Sequence, residues 1–278
     1  MTFLRVSLAA LILVIMIFIS YFDWVATPTP KPNTGVASQS ATETARPSEP
    51  PRKKKIRYSK NWSGAVNTEP PSGYFAAAGM RFTVPKTLRP DIVKGNSDYY
   101  AASAWVGIDG LTHGTALLQT GVTIEVNKTN SEEVTYVPWY EWWPNIAMRL
   151  DIPIGGGDEI EVEVVMFNAT SGKILLWNRS KGDWVARALQ APRPDAKLAG
   201  RSVEWIVEDF ALSEGGNVPF GDFGVIELRD CKAHTSTDKV VGPDPSQPFY
   251  IRQDNLTRTN TSVEGQSVSI QYLTTTKF

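Results

Sequence analysis

The sequence predicts an all-β protein, an antiparallel sandwich or barrel, and three observations carry that prediction. Beyond Tyr58, short runs rich in β-favouring residues recur, Gly, Pro and Asn punctuate them, and no stretch sustains a 3.6-residue apolar period. In chain order the clear runs are Tyr74–Val84, Tyr99–Ile108, Ala116–Val126, Val134–Trp142, Glu159–Phe167, Lys173–Trp177, Ser202–Phe210, Phe223–Arg229 and Ser267–Leu273. Successive side chains of a strand point to opposite faces, so alternation assigns each run a core side. In Ser103–Asp109, Ala104, Val106 and Ile108 form one set, and Trp105 and Asp109 belong to the other. In the next run Leu118, Val122, Ile124 and Val126 share the core side, which turns Gln119 away from it. Trp139, Glu141 and Trp143 share a face of Val137–Trp143. After the turn Gly155-Gly156-Gly157, Ile160, Val162, Val164 and Met166 face the core, while Glu159, Glu161 and Glu163 are expected to face water. Val203, Trp205 and Val207 mark the core side of the later run, so Glu204 looks the other way.

The chain has 278 residues, and residues 1–57 carry no globular pattern, which leaves 58–278 as one β domain large enough to bury a sizeable core. Val6–Phe22 is a run of 17 residues without a charge, preceded by Arg5. That length lies between a signal-peptide core and a membrane span of roughly 20 residues, so residues 1–26 read as a signal anchor or a cleaved signal peptide. Either way the domain is expected outside the cell, secreted or tethered to the outer face of the membrane. Residues 27–57 are rich in Pro, Ser and Thr with few large apolar residues, and read as an extended tether. The tether ends in the basic run Arg52–Arg57, whose plain reading is a solvated charge cluster.

Composition excludes several chemistries. Removing the eight basic and three acidic residues of positions 1–57 from the totals of 28 and 29 leaves 20 and 26, a net charge of −6 that gives no support for nucleic-acid binding. Cys231 is the only cysteine, so no disulfide can form within the chain. His113 and His234 are the only histidines, and both sit in turn-like or polar stretches, which argues against a serine triad or a zinc site. No metal or other cofactor is expected.

Aromatic and acidic side chains on the non-core side, Trp105 and Asp109 with Trp139 and Glu141, would make a cleft that grips an extended polymer by stacking and hydrogen bonding. Alternation alone leaves open that the tryptophans only fill the interior. Six blocks add to this reading. NWSGAV at Asn61–Val66, AWVGIDG at Ala104–Gly110, LLQTGV at Leu117–Val122, WYEWWP at Trp139–Pro144, EWIVEDF at Glu204–Phe210 and FGDFG at Phe220–Gly224 resemble the eqolisins, the glutamic peptidases, in the family's order. The resemblance implies a sandwich of two antiparallel sheets, lectin-like in shape, with a concave substrate cleft. It also implies that Gln119 and Glu204 match the catalytic dyad, and that Trp105, Asp109, Trp139 and Glu141 line the cleft and bind substrate. Glu208 and Asp209 lie inside a block without an assigned role. Thr123 departs from the family, whose fungal members carry an aspartate there, and the chain also lacks their paired cysteines.

The implied function is an exported acid endopeptidase that hydrolyses peptide bonds of polypeptide substrates with an activated water, working as a monomer. A glutamate near its usual pKa of about 4.3 can exchange protons at acidic pH, and a glutamine can donate to an oxyanion or position water. The alternative is a non-catalytic carbohydrate- or cell-wall-binding module of the same sandwich shape. A glycoside hydrolase using Glu141 and Glu204 would need two carboxyls across a sugar bond.

Overall fold

The computed structural model describes residues 55–89, 97–210 and 218–273. The apolar run Val6–Phe22 and nearly all of the tether lie outside the described residues. Among the described residues seventeen strands follow one another: β1 (Arg57–Ser59), β2 (Trp62–Asn67), β3 (Phe75–Thr83), β4 (Tyr99–Asp109), β5 (Leu117–Asn127), β6 (Val134–Trp143), β7 (Met148–Arg149), β8 (Glu159–Asn168), β9 (Ser171–Asn178), β10 (Asp183–Gln190), β11 (Val203–Glu208), β12 (Val225–Thr235), β13 (Val240–Val241), β14 (Gln247–Gln253), β15 (Leu256–Thr257), β16 (Thr259–Glu264) and β17 (Ser267–Tyr272). They form two sheets, in the order β1-β14-β2-β11-β4-β5-β6-β7 with β15 on β14, and β10-β9-β8-β3-β12-β17-β16 with β13 on β12. We call them the first and second sheet. Every pairing is antiparallel except that of β1 with β14, where the end of the basic run adds a parallel edge strand.

The predicted alternation is what joins the layers. Ala104, Val106, Ile108, Leu118, Val122, Ile124, Val203, Trp205 and Val207 of the first sheet share one buried cluster with Ala78, Met80, Phe82, Ile160, Val162, Val164, Ile174 and Leu176 of the second. Each Val, Leu, Ile, Phe or Met buried in this way contributes roughly 1.5–3 kcal/mol. The Trp205 indole reaches across the layer and donates to the Gly79 carbonyl at 3.0 Å, so its one polar group is satisfied.

The outward glutamates of β8 depart from expectation. They point away from the core, but Glu161 and Glu163 are only 6% and 4% exposed. Arg81 and Arg179 donate to Glu161 from 2.6–2.8 Å, and the Lys173 ammonium lies 3.9 Å from Glu163. The apolar stems of these long side chains shield the carboxyls from water while their heads supply the opposite charge.

Several strands had no clear signal. β10 is an edge strand exposed along most of its length, β14 contains Pro248, and β16 alternates buried and exposed positions but places threonine at the first two buried ones, so none shows an apolar alternation in its sequence. β12 runs six residues past the predicted end at Arg229. Its pairing with β3 shifts between Arg229 and Lys232, where Asp230 has φ 52°, and the bulge breaks the period there. His234 consequently lies in a strand rather than a turn, while His113 sits in an exposed loop with its Nε2 at 2.8 Å from the Lys197 carbonyl.

Two glycines let the first sheet tighten where the candidate site lies. A Cβ at Gly64 would come within 2.0 Å of the Trp205 carbonyl oxygen, and one at Gly121 within 2.2 Å of the Ala104 carbonyl and 2.6 Å of the Trp105 Cβ. Only a residue without a side chain permits backbones this close.

Candidate active site

The outer face of the first sheet carries the candidate residues in three adjacent rungs of the strand ladder. In the first rung Glu204 pairs with Gly107, Gly107 with Gln119, and Gln119 with Glu141. Directly paired residues project from the same face, so these side chains stand in a row. Glu204 and Gln119 are two strands apart, about 9.5 Å between backbones, and the position between them is glycine. A Cβ there would lie 2.9 Å from Leu117 Cδ1, 3.0 Å from Trp105 Cζ3 and 3.4 Å from Glu204 Oε2. Gly107 therefore puts no side chain between the carboxyl and the carboxamide, at a point where Leu117, Trp105 and Glu204 already close in.

The second rung holds Ile206, Trp105, Gly121 and Trp139 in succession. Trp105, Trp139, Ile206, Val66, Leu117 and Phe249 form an apolar cluster separate from the main core. Trp105 and Ile206 are fully buried and Trp139 is 8% exposed, although all three project from an outer face, so this part of the sheet is recessed. The third rung runs Glu208, Ser103, Thr123. Thr123, where a carboxyl was expected from the family pattern, donates instead to Ser103 Oγ at 3.0 Å, and the Trp139 indole donates to the same oxygen at 3.2 Å.

Electrostatics separates the four acids of this face. Glu204 is fully buried and neither carboxyl oxygen has a hydrogen bond of good geometry. Burial holds its pKa well above the ordinary carboxylate range; the nearby Ser202 hydroxyl opposes the rise and the Asp109 charge adds to it. Glu141 is also raised by burial, against the effect of Gln119, whose Nε2 donates to Glu141 Oε2 at 2.5 Å. That bond fixes which end of the amide faces Glu141, and leaves the buried Gln119 Oε1 without a partner. Asp109 is fully buried at the end of β4 with φ 71° and accepts from the backbone N–H groups of Ala199, Gly200 and Arg201 at 2.7–2.9 Å. Its carboxylate thus holds the segment that leads into β11 and Glu204. Glu208 accepts from Asn61 Nδ2 at 2.7 Å, Trp62 Nε1 at 3.1 Å and Trp105 Nε1 at 2.8 Å. Burial nevertheless lifts its pKa to about 7, against those three donors.

Of the six residues singled out by sequence, Gln119, Glu204, Glu141, Trp105 and Trp139 meet on adjoining rungs, and Asp109 sits at their edge with its oxygens engaged by backbone. Sequence reasoning did not single out Gly107 and left Glu208 without a role. Glu208 lies four residues after Glu204, an even spacing that places both on one face of a strand, and that signal was available. Among the described residues no group of three His, Cys, Asp or Glu side chains converges as metal ligands would.

A profile of the Peptidase A4 family matches residues 60–272, which is nearly all of the β domain. The chain belongs to the peptidase A4 family. Aspergillopepsin-2 of Aspergillus niger is 37% identical over 234 residues, 78% of each chain, and scytalidopepsin B of Scytalidium lignicola is 34% identical over 221 residues, covering 77% of this chain and 78% of that one. Among solved structures, scytalido-glutamic peptidase with a transition-state analogue inhibitor superposes with a TM-score of 0.66 at 32% identity, covering 77% of this chain and 98% of that one. Aspergilloglutamic peptidase from Aspergillus niger does so with a TM-score of 0.58 at 38% identity, covering 63% and 99%. This A4 peptidase is accordingly a glutamic endopeptidase acting on polypeptides, and the binding-module alternative is not favoured.

Proposed function

We propose that this peptidase cleaves peptide bonds with Glu204 and Gln119 acting together on one water in the space above Gly107, at acidic pH and outside the cell. The observation that carries the reading is the Glu204–Gly107–Gln119 rung, in which three buried oxygens, both of Glu204 and Oε1 of Gln119, lack partners beside a position with no side chain. Buried polar atoms without partners are costly, and a water and a substrate carbonyl would satisfy all three.

Glu204 starts the cycle protonated, as its burial favours. Gln119 Oε1 accepts from the attacking water, and Glu141 holds the amide in that orientation. As the water oxygen bonds to the scissile carbon, Glu204 gives its proton to the carbonyl oxygen and takes one from the water on its other oxygen. A neutral diol results with Glu204 protonated again. Glu204 then protonates the amide nitrogen and takes a proton from one diol hydroxyl as the C–N bond breaks, which releases acid and amine and restores the starting state. Trp105 and Trp139 floor the recess against which substrate side chains pack, and Asp109 positions Glu204 through the segment it anchors.

Export is supported by the apolar run Val6–Phe22 and the Pro/Ser/Thr-rich segment after it. The test is digestion of casein or a quenched peptide by the full chain at about pH 2 to 5. Wild type cleaves and a folded Glu204→Gln does not; cleavage that survives this substitution sinks the reading. A protease added to intact cells degrades the domain if it is displayed outside and spares it otherwise.

A further inference from the structure

The cycle above leaves Glu208 unused, although it is a buried acid on the same face as Glu204. Asn61, just before β2, and Trp62, its first residue, share Oε1, and Trp105 of β4 takes Oε2. Trp62 also meets Trp105 edge to face, with ring centroids 5.1 Å apart and an interplanar angle of 77°. Nε1 and Cζ3 stand at opposite ends of an indole. One end of Trp105 is therefore tied to Glu208, and the other end lies 3.0 Å from where a Gly107 Cβ would be, beside Glu204 Oε2 on the same space. Gly121 lets the Trp105 backbone settle close enough for the ring to make that span.

We propose that Glu208 is a positioning residue: it clamps the Trp105 indole so that the far edge of the ring walls the space between Glu204 and Gln119 and keeps the water and scissile carbonyl in reach of both. The inference rests on the reading of Glu204 and Gln119 as the acting pair. Glu208 touches neither substrate nor water; it acts through Trp105. A carboxylate suits this task because both of its oxygens accept, and the three side chains around it present only N–H donors. A glutamine there would turn an NH2 group towards one of those donors and lose the grip on at least one side.

The experiment is a double-mutant cycle on the full chain with a quenched peptide, using Glu208→Gln, Trp105→Phe and the pair, with near-ultraviolet circular dichroism confirming that each variant folds. Trp105→Phe removes the clamped N–H and leaves the carboxylate with Asn61 and Trp62, so it carries the prediction even where Glu208→Gln fails to fold. Each single variant is expected to lower kcat by about 10–100-fold, the cost of a reacting group displaced by about an ångström, with KM changed by less than about threefold. The double variant is expected to be no slower than the slower single, because both changes cut one link. Losses that multiply in the double variant, or a loss confined to KM, overturn the proposal. Glu204→Gln run in parallel separates the two readings. Unchanged kcat in Glu208→Gln beside an inactive Glu204→Gln overturns the clamp alone, whereas an active Glu204→Gln overturns the acting pair and the clamp with it.

Discussion

The two outer faces of this sandwich bury acids in opposite ways. On the second sheet Glu161 takes hydrogen bonds from two guanidinium groups, and Glu163 has an ammonium at 3.9 Å. On the first sheet, among the described residues, Glu204, Glu208 and Glu141 have no cation within salt-bridge distance; Glu208 and Glu141 meet indole and amide donors, and Glu204 only the nearby Ser202 hydroxyl. Burial of comparable depth therefore has different consequences. A guanidinium or ammonium offsets the desolvation of a carboxylate and makes the acid a structural tie. Neutral surroundings do not, and burial raises the pKa of all three, that of Glu208 to about 7 and that of Glu204 well above the ordinary range. Glu163 marks the boundary: its ammonium is too distant to overcome burial, and its pKa rises to about 7.

The largest effect should come from the least compensated acid. Glu204→Gln is expected to lower kcat/KM by about 10²–10⁴-fold or more, and at the same time to raise the melting temperature at neutral pH. The sign follows from the raised pKa: the folded state binds a proton that the unfolded chain releases, so wild-type stability falls as pH rises above the ordinary glutamate value, and glutamine removes that loss. A Glu204→Gln protein that melts below wild type at pH 7 would break the comparison. The next effect tests the space itself. Gly107→Ala puts a methyl group 2.9 Å from Leu117 and 3.0 Å from Trp105, and kcat should fall by about 100-fold while the far-ultraviolet spectrum is unchanged.

On the second sheet the expectation reverses. Glu161→Gln should leave kcat within twofold of wild type but cost about 1–2 kcal/mol in urea unfolding, a buried ion pair discounted for the partial exposure of Arg81 and Arg179. A kcat defect in that variant would show that the two faces are not independent. The smallest effect is a change of slope. Glu163 and Glu208 add to the decline of the wild-type melting temperature between about pH 4.5 and about 7, on top of the loss from Glu204, and Glu163→Gln should flatten part of the decline in that window without touching cleavage.

The strands that hold the core were legible because their core-facing apolar residues recur at every second position, although both faces of these strands are largely buried. β4, β5, β8 and β11 alternate, and the alternation named Ala104, Leu118, Ile160 and Trp205 as core before any fold was known. It failed where one condition was missing: β10 exposes most of both faces, β14 contains Pro248, and β12 carries a bulge that inverts the pattern after Arg229. It also misjudged Glu161 and Glu163, because period reports which way a side chain points and not what folds over it.

By itself the sequence determined the all-β class, the sides on which Gln119 and Glu204 lie and, through six ordered blocks, the peptidase family. Those are matters of local period and of residue identity. Only the tertiary structure decided that Gly107 stands between the two, that Asp109 spends its oxygens on backbone, and that Glu208 reaches the same space through Trp105. Each depends on strand register and on contacts between residues up to about 150 positions apart. A single strand's pattern carries no information about which residue of its neighbour it will face.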